Sequence, residues 1–334
     1  MEIVFALDND PDAIASFQNN FPAATTSNSD IQHFNFKILA DLIDTEADKP
    51  TLFACCAPCQ PFTKLNTQQL NADPRLPLMD YFGLQVEFFK PDYVFIENVP
   101  GIRRNENKDS HINRLIEMLR RLGYQYDAKV VLAQNYGVPQ HRQRFFLVAS
   151  KGAPITIPEV THGDGPDLVP FNTARDFIYG LPKIRAGETH QEIQLHVSAS
   201  LSELNLRRIS AIPVGGSRMD WPEDLVLDCH KNGHNGHTDV YGRMRWDKPA
   251  PALTTRCISL SNGRFGHPTQ DRAISLLEAA LLQTFPEDYI FAGSMVSKAR
   301  QIGNAVPVKL AETFGDMFVN HLKMTKQESI AKNV

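Results

Sequence analysis

Three short stretches of the chain carry side chains able to do covalent or electrophilic chemistry. In Cys55-Cys56-Ala57-Pro58-Cys59-Gln60-Pro61-Phe62, three of the five cysteines crowd into one turn. A thiol there can be a nucleophile if something lowers its pKa or accepts its charge. Cys56 and Cys59 also form a C-x-x-C pair, so a redox dithiol, half of a zinc site and a structural role stand beside that reading. No second C-x-x-C occurs. The second stretch is Glu97-Asn98-Val99-Pro100. A carboxylic acid beside a thiol suits electrophilic activation of a ring nitrogen, and burial pushes such an acid towards its protonated, donating form. A Glu-Asn turn that only caps backbone groups is the plainer alternative. In the third stretch, Gln140, Arg142 and Arg144 alternate as they lead into a strand. Alternation sets three long polar side chains on one face, which could hold a phosphate or a base edge.

The elements that must position these groups follow from hydrophobic patterning. Thr51-Leu52-Phe53-Ala54 reads as a short buried strand, and Pro58 and Pro61 cannot continue a ladder, so the chain turns at the cysteines. Tyr93-Val94-Phe95-Ile96 reads as a second buried strand ending at Glu97. Adjacent and parallel, the two set Cys59 beside Glu97 at the sheet edge where open α/β sheets bind ligands. Ile3 to Leu7 is another strand, and Asp10 with Pro11 then starts a helix through Ile14 and Phe17. Asp8 at that strand tip either caps or binds the ribose of a nucleotide-like cofactor. Helices are also expected through Ile38–Ile43, Leu78–Phe89, Ser110–Leu122 and Leu276–Phe285, the last opened by the capping box Ser275-x-x-Glu278. Residues 63–71 are polar, lack periodicity and read as a loop.

A chain of 334 residues accommodates one large α/β domain and a smaller one. An odd cysteine count, with three in one turn, speaks against a disulfide framework and for a reducing cytoplasm. No apolar run reaches membrane-spanning length, and the first residues show no signal-peptide pattern, so no membrane partner is expected. Net charge is −4 and does not announce a nucleic-acid binder, although arginines recur at positions 103, 104, 142, 144, 207, 208, 218, 243, 245, 256 and 264.

Pro58-Cys59-Gln60, Glu97-Asn98-Val99 and Gln140-x-Arg142-x-Arg144 resemble, in order, the catalytic motifs of the DNA cytosine-5-methyltransferase family. Arg264-Phe265-Gly266-His267-Pro268 and Gln301-Ile302-Gly303-Asn304-Ala305-Val306-Pro307 resemble its closing motifs. The resemblance implies a Rossmann-like, S-adenosylmethionine-dependent α/β sheet with a smaller, irregular target-recognition domain. It also implies that Cys59 attacks C6 of a cytosine flipped out of duplex DNA, that Glu97 contacts N3 and N4, and that Arg144 holds O2. Arg142 is placed with the catalytic groups, as a buttress of the loop or a phosphate contact. By the same similarity Asp8, Asp30, Ile31, Pro58, Leu78 and Asn304 bind S-adenosylmethionine. Gln60, Gly215, Gly216, Ser217, Arg218, Arg243, Arg245 and Thr254 meet DNA. Cys229, His230, His234 and His237 lie close together, but without a second cysteine pair no metal is expected.

The implied organisation is a catalytic domain over 1–170, a target-recognition region over 171–246, a return to the catalytic domain over 247–323 and a polar, frayed tail over 324–334. A monomer paired with a cognate restriction endonuclease is the expected setting. One family feature has no counterpart, the opening strand and glycine-rich turn that cradle the methionine end of the cofactor. That strand belongs at the centre of the sheet, so its lack leaves backbone groups to be satisfied. Two further expectations follow: an active enzyme whose missing piece lies upstream or on another chain, or an inactive remnant that binds DNA at most. Methylation of RNA cytosine uses the same chemistry and is the remaining alternative.

Overall fold

In the first half of the chain most strands are apolar runs, Thr25-Thr26-Ser27-Asn28 excepted, and the helices Pro11–Asn20 and His111–Arg121 open on side-chain caps. The computed structural model describes residues 1–35, 37–44, 49–56, 78–103, 110–231 and 238–332. Pro58, Cys59, Gln60, the stretch 63–71, His234 and His237 lie outside the described residues. In chain order the first elements are β1 (Phe5–Asp8), α1 (Pro11–Asn20), β2 (Thr25–Asn28), α2 (Lys37–Asp44), β3 (Leu52–Cys55) and α3 (Leu78–Phe89). Then come β4 (Tyr93–Asn98), α4 (His111–Arg121), β5 (Tyr124–Leu132), β6 (Gln140–His141) and β7 (Gln143–Lys151). The remainder holds α5 (Ala174–Ile178), α6 (Glu203–Ser210), α7 (Asp228–Lys231), β8 (Ala250–Pro251), α8 (Leu276–Leu282), α9 (Met295–Asn304) and α10 (Val308–Lys332).

Two compact units result. The first comprises Met1–Leu132, Gln143–Glu159 and Glu312–Val334, the second Ala133–Arg142 and Val160–Ala311. In the first unit β1 and β2 pair in parallel, and a separate four-stranded sheet runs β3-β4-β7-β5. β3 and β4 are parallel, while β7 is antiparallel to both of its neighbours. Among the described residues β1 is laddered only to β2, and β3 only to β4.

All six residues of β4 are buried, because helices cover both faces of the sheet. Val94 and Ile96 join Phe82 and Val86 of α3, Leu115 and Leu119 of α4, and Phe145 and Leu147 of β7 in one apolar cluster. On the other face, Phe95 and Phe146 meet Phe314 of α10, with centroids 5.3 and 4.5 Å apart. Truncating such a buried ring to alanine costs about 3–5 kcal/mol. The frayed tail expected after residue 323 is instead helical to Lys332. That stretch has neither glycine nor proline, and Thr325 Oγ1 donates back to the carbonyls of His321 and Leu322.

The second unit has little regular ladder. β6 and β8 pair over two residues, and α5, α8 and α9 share a core with Met244, Ala250, Leu253 and Phe265. Packing thus groups 247–311 with 171–246, the stretch expected to recognise the target, where the sequence places them with the catalytic domain. The reason is that α8, although opened by its expected capping box, is buried all round, and the second unit's core is built on it.

Candidate active site

The first unit brings the cysteine strand and the carboxylate strand together. Cys55 is in register with Ile96, so Cys56 follows level with Glu97 and the chain runs on towards Cys59. Strand alternation puts Glu97 on the same sheet face as Phe95, and Arg144 on the same face as Phe146, the register partner of Glu97. Their side chains meet there, Arg144 Nε lying 2.8 Å from Glu97 Oε1. Both are largely withdrawn from solvent, 15% and 7% exposed, and Arg144 also donates to the Gln143 carbonyl.

Gln140, Arg142 and Arg144 do not share one face, contrary to the expectation from their alternation. The Arg142 N–H donates to the Gln140 carbonyl at 2.9 Å, which turns the chain and separates β6 from β7. Arg142, expected among the catalytic groups, is fully buried in the second unit. Its guanidinium donates to the carbonyls of Leu253, Gly303 and Ala305. Arg142 is therefore a brace between backbone segments.

At the tip of β1 stands a hydrogen-bond acceptor of the kind a ribose hydroxyl needs. Asp8 ends β1, level with Asn28, and Asp30 stands two residues beyond. The Asp8 carboxylate accepts the Asp10 N–H, and the Asn28 amide donates to the Asp8 carbonyl. Asp30 caps a short 3-10 turn, Ile31–His33, through the Gln32 N–H. Ile31 is half-buried and packs against the cluster under α3, a platform of the kind a flat ring needs. Leu78 opens α3 and is half-buried. A carboxylate at a parallel strand end, as at Asp8, suits the vicinal hydroxyls that the sugar of S-adenosylmethionine offers.

In the second unit, Gly215 has φ +74°, a conformation that favours glycine, and a Cβ there would meet the Arg245 side chain. Arg245 is exposed, Gly216 half-buried, and Ser217 caps a 3-10 turn through Met219. Arg218 is buried, not displayed at the surface. Arg243, expected at DNA, is also buried and spends its guanidinium on the carbonyls of Ile209, Ile212, His267 and Gln270 and on Asp271. A guanidinium so committed has no donor left for a base or phosphate. Thr254 and Asn304 are exposed, Thr254 on the loop after β8 and Asn304 at the end of α9.

Sequence reasoning missed the residues that hold this irregular unit together. Arg264 donates to the carbonyls of Gly215 and Gly216 and pairs with Asp239, fixing the glycine loop from behind. Arg272 forms a two-point pair with Glu278, both bonds 2.7 Å. Burial alone would raise the Glu278 carboxyl, but Arg272 and the Ser275 N–H hold it below the usual range. Gln283 is fully buried and donates to the carbonyls of Ile302 and Ala305. The available signal was the stretch's composition, rich in glycine and proline and poor in strands. Carbonyls that no ladder satisfies need side-chain donors.

The geometry agrees with what comparison finds. The sequence profile of C-5 cytosine-specific DNA methylase matches residues 1–319. The Type II methylase M.HgiDII of Herpetosiphon aurantiacus is 39% identical over 313 residues, 92% of this chain and 86% of that protein. The Type II methyltransferase M1.BsuMI of Bacillus subtilis is 30% identical over 316 residues, 92% and 71% of the two chains. Among solved structures, a DNA modification methyltransferase encoded within an E. coli prophage superposes with TM-score 0.72 at 21% identity, covering 96% of this chain and 93% of that one. DNMT2 of Spodoptera frugiperda superposes with TM-score 0.60 at 19% identity, covering 95% and 92%. The fold is thus that of the S-adenosylmethionine-dependent methyltransferases, S-adenosylmethionine is the methyl donor, and the chain belongs to the C-5 cytosine-specific DNA methylase family.

Proposed function

We propose that this chain methylates C5 of a cytosine flipped out of duplex DNA, through a covalent adduct of Cys59 at C6, as the modifying half of a restriction–modification system. The observation that carries the reading is the meeting of Glu97 and Arg144 at the end of β4, beside the parallel strand that leads into the cysteine turn. Cytosine is a weak nucleophile at C5, and its C5 edge is out of reach in stacked DNA, so flipping and covalent activation are both needed. Addition of the Cys59 thiolate forms the S–C6 bond and drives ring electrons towards N3, where Glu97 donates a proton or hydrogen bond. Arg144 holds O2. The two groups that grip the base neutralise each other until it enters.

S-adenosylmethionine supplies a methyl group activated on a sulfonium. C5, now the carbon of an enamine, takes that methyl; loss of the C5 proton then returns the electron pair to the C5–C6 bond and expels Cys59. Asp8 and Asp30 hold the donor's ribose and adenine ends, with Ile31, Pro58, Leu78 and Asn304. Gln60, Gly215, Gly216, Ser217, Arg245 and Thr254 line the DNA side, with Arg218 and Arg243 bracing them from within. The profile that matches the chain is that of a DNA methylase, which favours DNA over RNA as substrate. A cytoplasmic monomer paired with an endonuclease completes the reading. Among the described residues no helix is long and apolar enough to cross a membrane.

The test is a pool of random-sequence duplexes carrying 5-fluorocytosine. Fluorine at C5 cannot leave as a proton does, so methylated adduct persists and should run as a protein–DNA complex under denaturing conditions. It should require S-adenosylmethionine and vanish in Cys59→Ser. Methylation of ordinary duplex with no trapped complex would refute the covalent route.

A further inference from the structure

Gln140, Arg142 and Gln283 are fully buried polar side chains, all in the second unit, and they bond to one another and to three separate backbone segments. The Gln140 amide donates to Gln283 Oε1 at 3.0 Å and to the Leu282 carbonyl, and its own oxygen accepts the Leu253 N–H. Arg142 donates to the Leu253 carbonyl at 2.7 Å and the Gly303 carbonyl at 3.0 Å. Gln283 donates to the carbonyls of Ile302 and Ala305, at 2.6 and 3.1 Å. Residues 253 and 302–305, which flank Thr254 and Asn304, are thereby tied to the same three side chains. Their backbones also touch: a Cβ on Gly303 would lie 2.1 Å from the Thr254 carbonyl oxygen, so only glycine lets the segments close.

Backbone strain marks the same place. Thr284, directly after Gln283, has φ +61°, unusual for a β-branched residue. It is held there because its hydroxyl accepts the Lys309 N–H while the Gln283 carbonyl accepts that of Val308. Gln283 is thus clamped from outside while its amide reaches into the node. A cluster meant only to fill space could be apolar, and a buried polar network specifies position as well as packing.

We propose that Gln283 is a positioning residue: through the node with Gln140 and Arg142 it sets the Thr254 and Asn304 segments as one body, so that the DNA side and the cofactor side of the site are fixed together. This rests on the reading above that Thr254 meets DNA and Asn304 the cofactor. Neither amide touches substrate. Loss of the node should therefore weaken both ligands at once.

The full chain is assayed for KM towards S-adenosylmethionine and towards unmethylated plasmid DNA. Gln283→Leu should raise both constants about tenfold, the size of an ordinary coupling between sites. Gln283→Glu keeps the shape but, when ionised, sets a carboxylate against two carbonyl oxygens; as the pH falls and that carboxyl protonates, both constants should recover in parallel. Thr284→Val removes only the outer clamp and should lower the melting midpoint with both constants unchanged. Should Gln283→Leu not fold, Gln283→Glu decides alone. A rise in one constant only, or in neither, overturns the proposal while Thr254→Ala and Asn304→Ala still impair their own ligands. If those two variants impair nothing, the site reading itself fails and takes the proposal with it.

Discussion

Among the described residues, two arginine–glutamate pairs withdrawn from solvent differ in character. Glu97 and Arg144 join strand ends in the first unit through one close approach, Nε to Oε1, and keep some exposure to solvent. Glu278 and Arg272 lie in the second unit at 1% and 0% exposure, and Arg272 meets both carboxylate oxygens while the Ser275 N–H adds a third bond. A pair whose members share a single contact opens more easily to a base than one joined twice. A pair that is saturated and dry can only hold structure, because separating it strands a charge in a low-dielectric interior. The same two residue types thus serve scaffolding in the second unit and, in the function proposed above, chemistry in the first, and what separates the pairs is the number of bonds between their members.

The largest expected effect comes from the nucleophile proposed above. Cys59→Ser should lower methyl transfer by about 10⁴-fold or more while leaving DNA binding largely intact; transfer near the parental rate would take Cys59 out of the nucleophile role. Next, Glu97→Gln should slow the single-turnover rate by about 10²–10³-fold with little change in urea midpoint. The reverse pattern, a lower midpoint and an unchanged rate, would move Glu97 into the scaffold class. For the second pair, Glu278→Gln leaves Arg272 charged and half-paired and should cost about 3–5 kcal/mol of stability. The folded fraction of that variant should methylate near the parental rate, and a stable but inactive variant would erase the contrast.

The first unit was legible in the sequence because the groups proposed for its site sit where regular elements end. Asp8 follows an apolar run and precedes a proline-started helix, and Glu97 ends a run in which every side chain is buried. Patterning alone places such residues at a sheet edge. The second unit was legible only in outline. Arg142 and Arg243 carry the charge expected of DNA contacts, yet both point inward to carbonyls that no strand partner satisfies. Arginine recurs in that stretch because irregular backbone needs donors, and composition cannot distinguish this use from phosphate binding. Nor does a single sequence reveal Gln283, whose importance comes from segments far apart in the chain.

Acid should separate the two units' chemistry most finely. His267 is buried in the scaffold, and its Nδ1 accepts the N–H groups of Thr269 and Gln270. Burial, against the attraction of Glu278 and aided by Arg272 and Arg243, takes its pKa from 6.5 down to about 4. The unfolded chain therefore takes up a proton that the native state refuses, and stability must fall as the pH drops through that interval. The full contribution is present above 6.5 and amounts to about 3 kcal/mol. Glu278, held below its usual range, loses its own contribution in the same direction at lower pH. His267→Asn offers an acceptor to the same two N–H groups but cannot take a charge, so it should start less stable at pH 7 and lose less by pH 5. Urea midpoints for both proteins measure this, and parallel slopes would assign the acid sensitivity elsewhere. A flattened slope would show that the saturated pair is kept dry by a neighbour that must stay neutral.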